Sequence, residues 1–185
     1  MSTDERGARP RPLHLARARA SAVLGEGPAA RVRAFGDGTL YVEATWGAVF
    51  VAWLVDFLLV TGLAIAAGAA YYTSAPPTAD PAVGAGLLTL ALLVVLPLLY
   101  GWFYGDGRGL GALLSGTRLV RIKDGSRVGL AKAGWAMLLR TLGFVVIGLI
   151  ALSGDSLDAT QVRVSIDVEE TARLRAAGLL RLTVA

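Results

Sequence analysis

The sequence predicts an all-α membrane protein: three transmembrane helices with short β-hairpin elements in the polar segments. Three observations lead there. The chain of 185 residues is 55% hydrophobic and only 17% charged, with a mean hydropathy of +0.59. A soluble domain carries about 25% charged residues. The apolar residues gather into long runs, and the arginines gather outside them. Composition also excludes some chemistry. The absence of cysteine removes disulfides, thiolate zinc sites and cysteine nucleophiles, and a single histidine leaves little for imidazole metal clusters or Ser-His catalysis.

The first apolar run, Trp46 to Tyr72, has Asp56 as its one acidic or basic residue. The second, Pro81 to Tyr104, has no Asp, Glu, Lys or Arg. Both exceed the roughly 20 residues that a helix needs to cross ~30 Å of hydrocarbon. The third, Ala133 to Leu152, contains Arg140. It reads either as a span with an internal arginine or as an amphipathic helix (Leu130 to Arg140) leading into a shorter span. The expected organisation is an Arg-rich segment over 1–45, a membrane domain over 46–152 (spans 46–72, 81–104 and 133–152) and a polar tail over 153–185.

Charge placement predicts orientation. Seven arginines precede Trp46, at positions 6, 9, 11, 17, 19, 31 and 33. The connection Thr73 to Asp80 has no basic residue, whereas Gly105 to Lys132 has Arg108, Arg118, Arg121, Lys123, Arg127 and Lys132. The positive-inside rule then puts the N-terminus and the second connection in the cytoplasm. Three spans leave the C-terminus on the other side. The first apolar run begins 45 residues in, too late for a secretory signal peptide. The Arg-rich stretch Pro10 to Ala20 reads as a solvated topology signal, with contact to anionic lipid headgroups as the alternative. His14, inside it, is assigned no role.

The polar segments carry strand signals. Arg31 to Glu43 forms two short runs around Gly36-Asp37-Gly38. Asp124-Gly125 separates two runs within Thr117 to Leu130, a hairpin signal because both turn positions favour φ > 0. In the tail, Val162, Val164, Ile166 and Val168 alternate with Arg163, Ser165, Asp167 and Glu169, and Thr171 to Arg181 reads as helical. An isolated hairpin is marginal in water, so these pieces should pair with one another or lie on the membrane surface. Pairing of the tail with the N-terminal hairpin would require both ends to share one side.

Gly111 and Gly116 have the spacing of a phosphate-binding loop, but Thr117 stands where that loop needs lysine, so the stretch reads as a turn leaving the bilayer. No Gly-x-Ser-x-Gly or His-Glu-x-x-His occurs, and Asp155/Asp158 and Glu169/Glu170 read as solvated charge. No cofactor, no metal and no catalytic residue is expected. The basic connection lacks interleaved aromatics, which argues against nucleic acid as a partner.

Asp56 and Arg140 are the intramembrane charges. An Asp at the centre of a span costs roughly 2.5–3.5 kcal/mol, offset by about 0.3–0.6 for each Leu, Ile, Val or Phe. Such a residue faces a partner or a water-filled cavity. At 1.5 Å per residue Asp56 lies ~15 Å beyond Trp46 and Arg140 ~10 Å beyond Ala133. A structural Asp56–Arg140 pair is therefore expected, testable by double charge reversal, with an ion or proton relay as the alternative role. Ala64, Gly68 and the neighbouring alanines offer a smooth surface for close helix approach.

Ala52-Trp-Leu-Val-Asp56 resembles the Ala-x-x-x-Asp signature of the RDD family of small bacterial membrane proteins. Gly109-Leu-Gly111-Ala-Leu-Leu-Ser-Gly116-Thr-Arg118-Leu-Val120 is similar to that family's Thr-x-Gly-Lys-x-x-x-Gly-x-x-Val segment, and the likeness continues through Asp124-Gly125 to Arg140. Val49, Gly109 and Ala112 replace the family's arginine, threonine and lysine. The resemblance covers about 46–152 and implies a multi-pass protein of the bacterial inner (plasma) membrane. The function expected from all of this is a non-enzymatic membrane scaffold or accessory component, a homo-oligomer or a partner of other membrane proteins. The alternative is a small cation or proton transporter whose relay uses Asp56.

Overall fold

A computed structural model describes residues 12–76, 80–103, 108–127, 129–153 and 163–182. Two long apolar helices come first in importance. α3 (Trp46–Ser74) begins at Thr45, whose hydroxyl accepts the Ala48 N–H at 3.2 Å and so satisfies one of the helix's orphan donors. α4 (Pro81–Phe103) begins with proline at its first position, and the Asp80 carboxylate accepts from the N–H groups of Ala82 and Val83. At 1.5 Å per residue these helices are ~44 and ~35 Å long, enough to cross the hydrocarbon layer.

Their burial pattern separates them from the core helices of a soluble protein. Only 22% of the most apolar window of α3 and 6% of that of α4 are covered by the rest of the chain. The covered residues of α3 are Ala52, Asp56, Val60, Ala64 and Gly68, one every fourth residue. That stripe is narrow and mostly small, as helix contacts in lipid require. The large residues Leu58, Leu63, Ile65, Leu87, Leu90 and Val94 face outward. Two helices of this kind suggest association with a membrane.

The third apolar segment is α6 (Leu130–Ser153). It packs against the end of α4, where a β-carbon on Gly101 would fall 2.5 Å from the Ala133 carbonyl oxygen and one on Gly134 would fall 2.8 Å from that of Leu98. Among the described residues, α3 and α4 alone are long and apolar enough to be candidate spans. A third crossing also conflicts with the strands on either side of α6. β3 (Thr117–Arg121) precedes the helix, β4 (Arg163–Asp167) follows it, and the two pair antiparallel with Val120 opposite Val164. A chain that leaves one strand and returns to its neighbour makes an even number of crossings. The C-terminal tail therefore stays beside β3 whatever α6 does, and three crossings are not confirmed.

The N-terminal hairpin joins the same assembly. β1 (Val32–Ala34) pairs with β2 (Leu40–Val42) around the expected Gly36-Asp37-Gly38 turn. Bridges then link Thr39 to Arg181 and Glu43 to Ile166, and the Ala44 N–H donates to the Ser165 carbonyl. The Asp124-Gly125 turn exists, with Val120 bridged to Arg127, but β3 takes β4 as its main partner. The tail supplies the long apolar alternation that the Ser126–Gly129 run lacks.

Helices cover these strands. α1 (Pro12–Leu24) buries Ala16 and Ala20, the short α2 (Glu26–Ala30) buries Ala29, and α7 (Val168–Ala176), capped by Asp167, buries Thr171 and Leu174. They share one core with Val32, Leu40 and Val42. A second core joins Phe35 and Tyr41 to Val120, Val164 and Ile166. The Arg-rich stretch is thus helical from Pro12 and packed through its alanines, not a solvated tail, while His14 is exposed. Thr171 to Arg181 is helical only to Ala176, where the chain turns through Gly178 at φ +79°. Asp155, Asp158 and Val162 lie outside the described residues.

Candidate functional site

Asp56 sits on the covered stripe of α3, only 1% exposed. Burying a carboxylate in apolar surroundings is costly unless donors and a counter-charge meet it. Three elements supply them. Tyr100, near the end of α4, donates its hydroxyl to Asp56 Oδ1 at 2.8 Å. The Gly111 N–H, in the short helix α5 (Leu110–Leu114), donates to the same oxygen at 2.8 Å. From α6, Arg140 Nη2 lies 3.7 Å from Oδ2. That separation gives a Coulomb contact longer than a hydrogen bond, and Oδ2 has no hydrogen-bond partner among the described residues.

The site depends on α5, which is seated against α3 beside Ala52 and Asp56. Gly111 makes this approach feasible, because a β-carbon there would overlap the Ala52 carbonyl oxygen. Gly109 does the same beside the carboxylate, where a β-carbon would meet both Asp56 oxygens and the Met137 methyl within 2.8 Å. The Leu110 N–H donates to the Tyr100 hydroxyl at 2.5 Å, so tyrosine accepts from α5 while donating to Asp56. Buried backbone N–H groups must find partners inside the protein, and here Asp56 and Tyr100 supply them. Trp53 completes the frame, donating its indole N–H to the Thr141 carbonyl of α6 at 3.1 Å.

The structure brings together four of the residues singled out above: Ala52 touches Gly111, Gly111 donates to Asp56, and Asp56 faces Arg140. It separates the others. Gly116 follows α5 at φ +66° and releases the chain into β3. Asp124 and Gly125 lie in the outer turn, where the Asp124 carboxylate accepts the Ser126 hydroxyl at 2.6 Å and its N–H at 3.0 Å. Those two bonds hold the Asp124 carboxyl below its ordinary 3.8. Gly125 packs on the Phe35 ring.

Tyr100, Gly109, Met137 and Trp53 belong to the site and were not legible as such. Trp53 had a signal: Trp46, Phe50, Trp53 and Phe57 recur at helical spacing and stack in sequence along α3, with ring centroids 5.1–5.5 Å apart. Tyr100 had none, since an aromatic at a span end is common. Among the described residues no group of His, Cys, Asp and Glu could hold a metal ion. No protein-family model, no curated protein and no solved structure matches this chain.

Proposed function

We propose that this chain is a multi-pass protein of the bacterial inner membrane, related to the RDD family, that serves as a non-enzymatic scaffold or accessory component. α3 and α4 are its crossings, and the module of α1, α7 and the strands stands in the cytoplasm. The charge pattern supports this orientation. Apart from Lys132 and Arg140, both in α6, every Lys and Arg lies before α3, between α4 and α6, or after α6, while 75–80 carries only Asp80. With the tail on the module's side, that asymmetry is larger than the one for which three crossings would allow. Its partners are the bilayer and either further copies or other membrane proteins.

The observation that carries the scaffold reading is the closure of Asp56. Tyrosine, a backbone N–H and an arginine surround its carboxylate, each from a different element. This is how a buried charge fastens a fold, and it leaves a solute no direct approach. Transport is the second reading, favoured by one detail: Asp56 Oδ2 has no hydrogen bond among the described residues. Reconstituted vesicles distinguish the two. The full chain should give no proton or sodium flux beyond empty liposomes, and Asp56→Asn should change stability without changing flux. Flux that the folded Asp56→Asn variant abolishes would establish the relay instead.

A further inference from the structure

We infer that α6 is a membrane-surface helix: it lies across α3 and α4 at the level of Asp56 and presents Trp135 and Leu139 to the boundary between lipid headgroups and acyl chains. The packing of α3 on α4 supplies a ruler. Asp56 meets Tyr100, Gly68 meets Thr89 and Tyr71 meets Gly84, so the two helices run antiparallel in one register. α6 enters at the Tyr100 level, where Ala133 and Gly134 pack on Gly101 and Leu98. An upright α6 packed along α4 would carry Thr141 ~12 Å further from the module, level with Leu63. Instead the Thr141 carbonyl accepts the Trp53 indole N–H, and Arg140 faces Asp56. Trp53 is ~15 Å nearer the module than Leu63 along α3, further than an indole reaches.

Chain length and burial agree with this placement. α6 is ~35 Å long, and β4 begins ten residues after its end. Ten residues reach at most ~35 Å. A crossing α6 would therefore need a fully extended return through hydrocarbon, with unpaired backbone and Asp155 and Asp158 in lipid. Lying crosswise, α6 requires no return. It buries Ala133, Ala136, Met137 and Thr141, while Trp135 and Leu139, one turn apart, are 60% and 62% exposed with Lys132 exposed beside them. An apolar face edged by a lysine suits the lipid boundary. Beyond the level of Asp56 and Tyr100, the remaining stretches of α3 and α4 are ~27 and ~28 Å long, close to the ~30 Å of hydrocarbon. The Asp56–Arg140 pair then stands at the edge of the bilayer. The inference rests on the membrane placement of α3 and α4 proposed above.

Single cysteines introduced into this cysteine-free chain, reconstituted in liposomes, test it. Ser153→Cys, at the end of α6, should react with an impermeant maleimide from the same side as Arg175→Cys. Spin labels at Trp135→Cys and Leu139→Cys should share one shallow depth, ~5–10 Å into the headgroup–acyl boundary, as read from collisions with oxygen and with a nickel chelate. A label at Leu90→Cys should lie near the midplane. Leu139→Cys keeps the tryptophan, and circular dichroism should show every variant folded. Reaction of Ser153→Cys from the side of Ala75→Cys, or a label at Leu139→Cys ~6 Å deeper than at Trp135→Cys, would show an upright helix and overturn the inference. Labels at both positions that meet the nickel chelate as freely as one at Ala22→Cys would overturn it by placing that face in water. A label at Leu90→Cys that meets no lipid fails the membrane reading itself, a result distinct from the other two.

Discussion

Gly111→Ala tests the packing of α5 on α3 most directly. The added methyl would overlap the Ala52 carbonyl oxygen and lie 2.7 Å from its carbonyl carbon and 3.0 Å from its α-carbon. All three are backbone atoms of a long helix, so no rotamer change relieves the clash. α5 must move away from α3, and the Gly111 N–H then loses Asp56. Overpacking of this kind costs ~1–3 kcal/mol, and a hydrogen bond to a charged group contributes ~1.5–3 kcal/mol. The sum, about 2.5–6 kcal/mol, corresponds to a fall in melting midpoint of about 5–24 °C for a chain of this size. Differential scanning fluorimetry on the detergent-solubilised chain, followed through its tryptophans, would read it. Gly62→Ala is the matched control, since a β-carbon there meets nothing within 4 Å, and it should melt at or above the wild type. If Gly111→Ala melted with the wild type, α5 would not be seated against α3 and the account of the site would fall with it.

Further predictions concern the charged pair, topology and pH. Because position 56 must accept from Tyr100 and Gly111, the double reversal Asp56→Arg/Arg140→Asp should not restore folding: an arginine there has no lone pair to offer. Asp56→Asn/Arg140→Gln keeps an acceptor and removes both charges, so it should melt above either single variant, each of which loses ~3–5 kcal/mol by leaving one buried charge alone. The chain lacks cysteine, so single-cysteine labelling can read topology. Ala22→Cys and Arg175→Cys, both at exposed positions, should react with an impermeant maleimide from the same side of the membrane, and Ala75→Cys from the other; opposite sides for the first two would refute the paired tail. Asp37 and Asp124 have carboxyls held below their ordinary 3.8, chiefly by the hydrogen bonds of Thr39 and Ser126 respectively. A lowered folded-state value means their contribution is present above that ordinary value and is lost as pH falls through the depressed one. Amide exchange at Thr39 and Ser126, corrected for its intrinsic pH dependence, should therefore lose protection below about pH 4; unchanged protection would contradict the assignment.

The helices were readable because their signal is local. An apolar run of the length of 46–72 specifies a long helix without knowing its neighbours, and the β1–β2 turn announces itself through Gly36-Asp37-Gly38. The Asp56–Arg140 approach was readable for a related reason, since two lone charges in apolar segments have few other partners. α1 was missed because its buried face is alanine. Ala16 and Ala20 give almost no hydrophobic contrast against the arginines around them, and only a surface to pack on makes them a core.

The sequence by itself determined where the long apolar runs lie, which end of each carries positive charge and that Asp56 needs compensation inside the protein. All three follow from transfer free energies summed along a stretch of chain. The tertiary structure alone decided that β3 chooses β4 over its own hairpin, that the tail consequently lies beside the N-terminus, and that Tyr100 and Gly111 meet Asp56. Strand partners compete through side chains far apart along the chain, Val120 and Val164 among them, and a glycine's value at a contact depends on the backbone opposite it. Neither quantity exists until the chain has closed on itself.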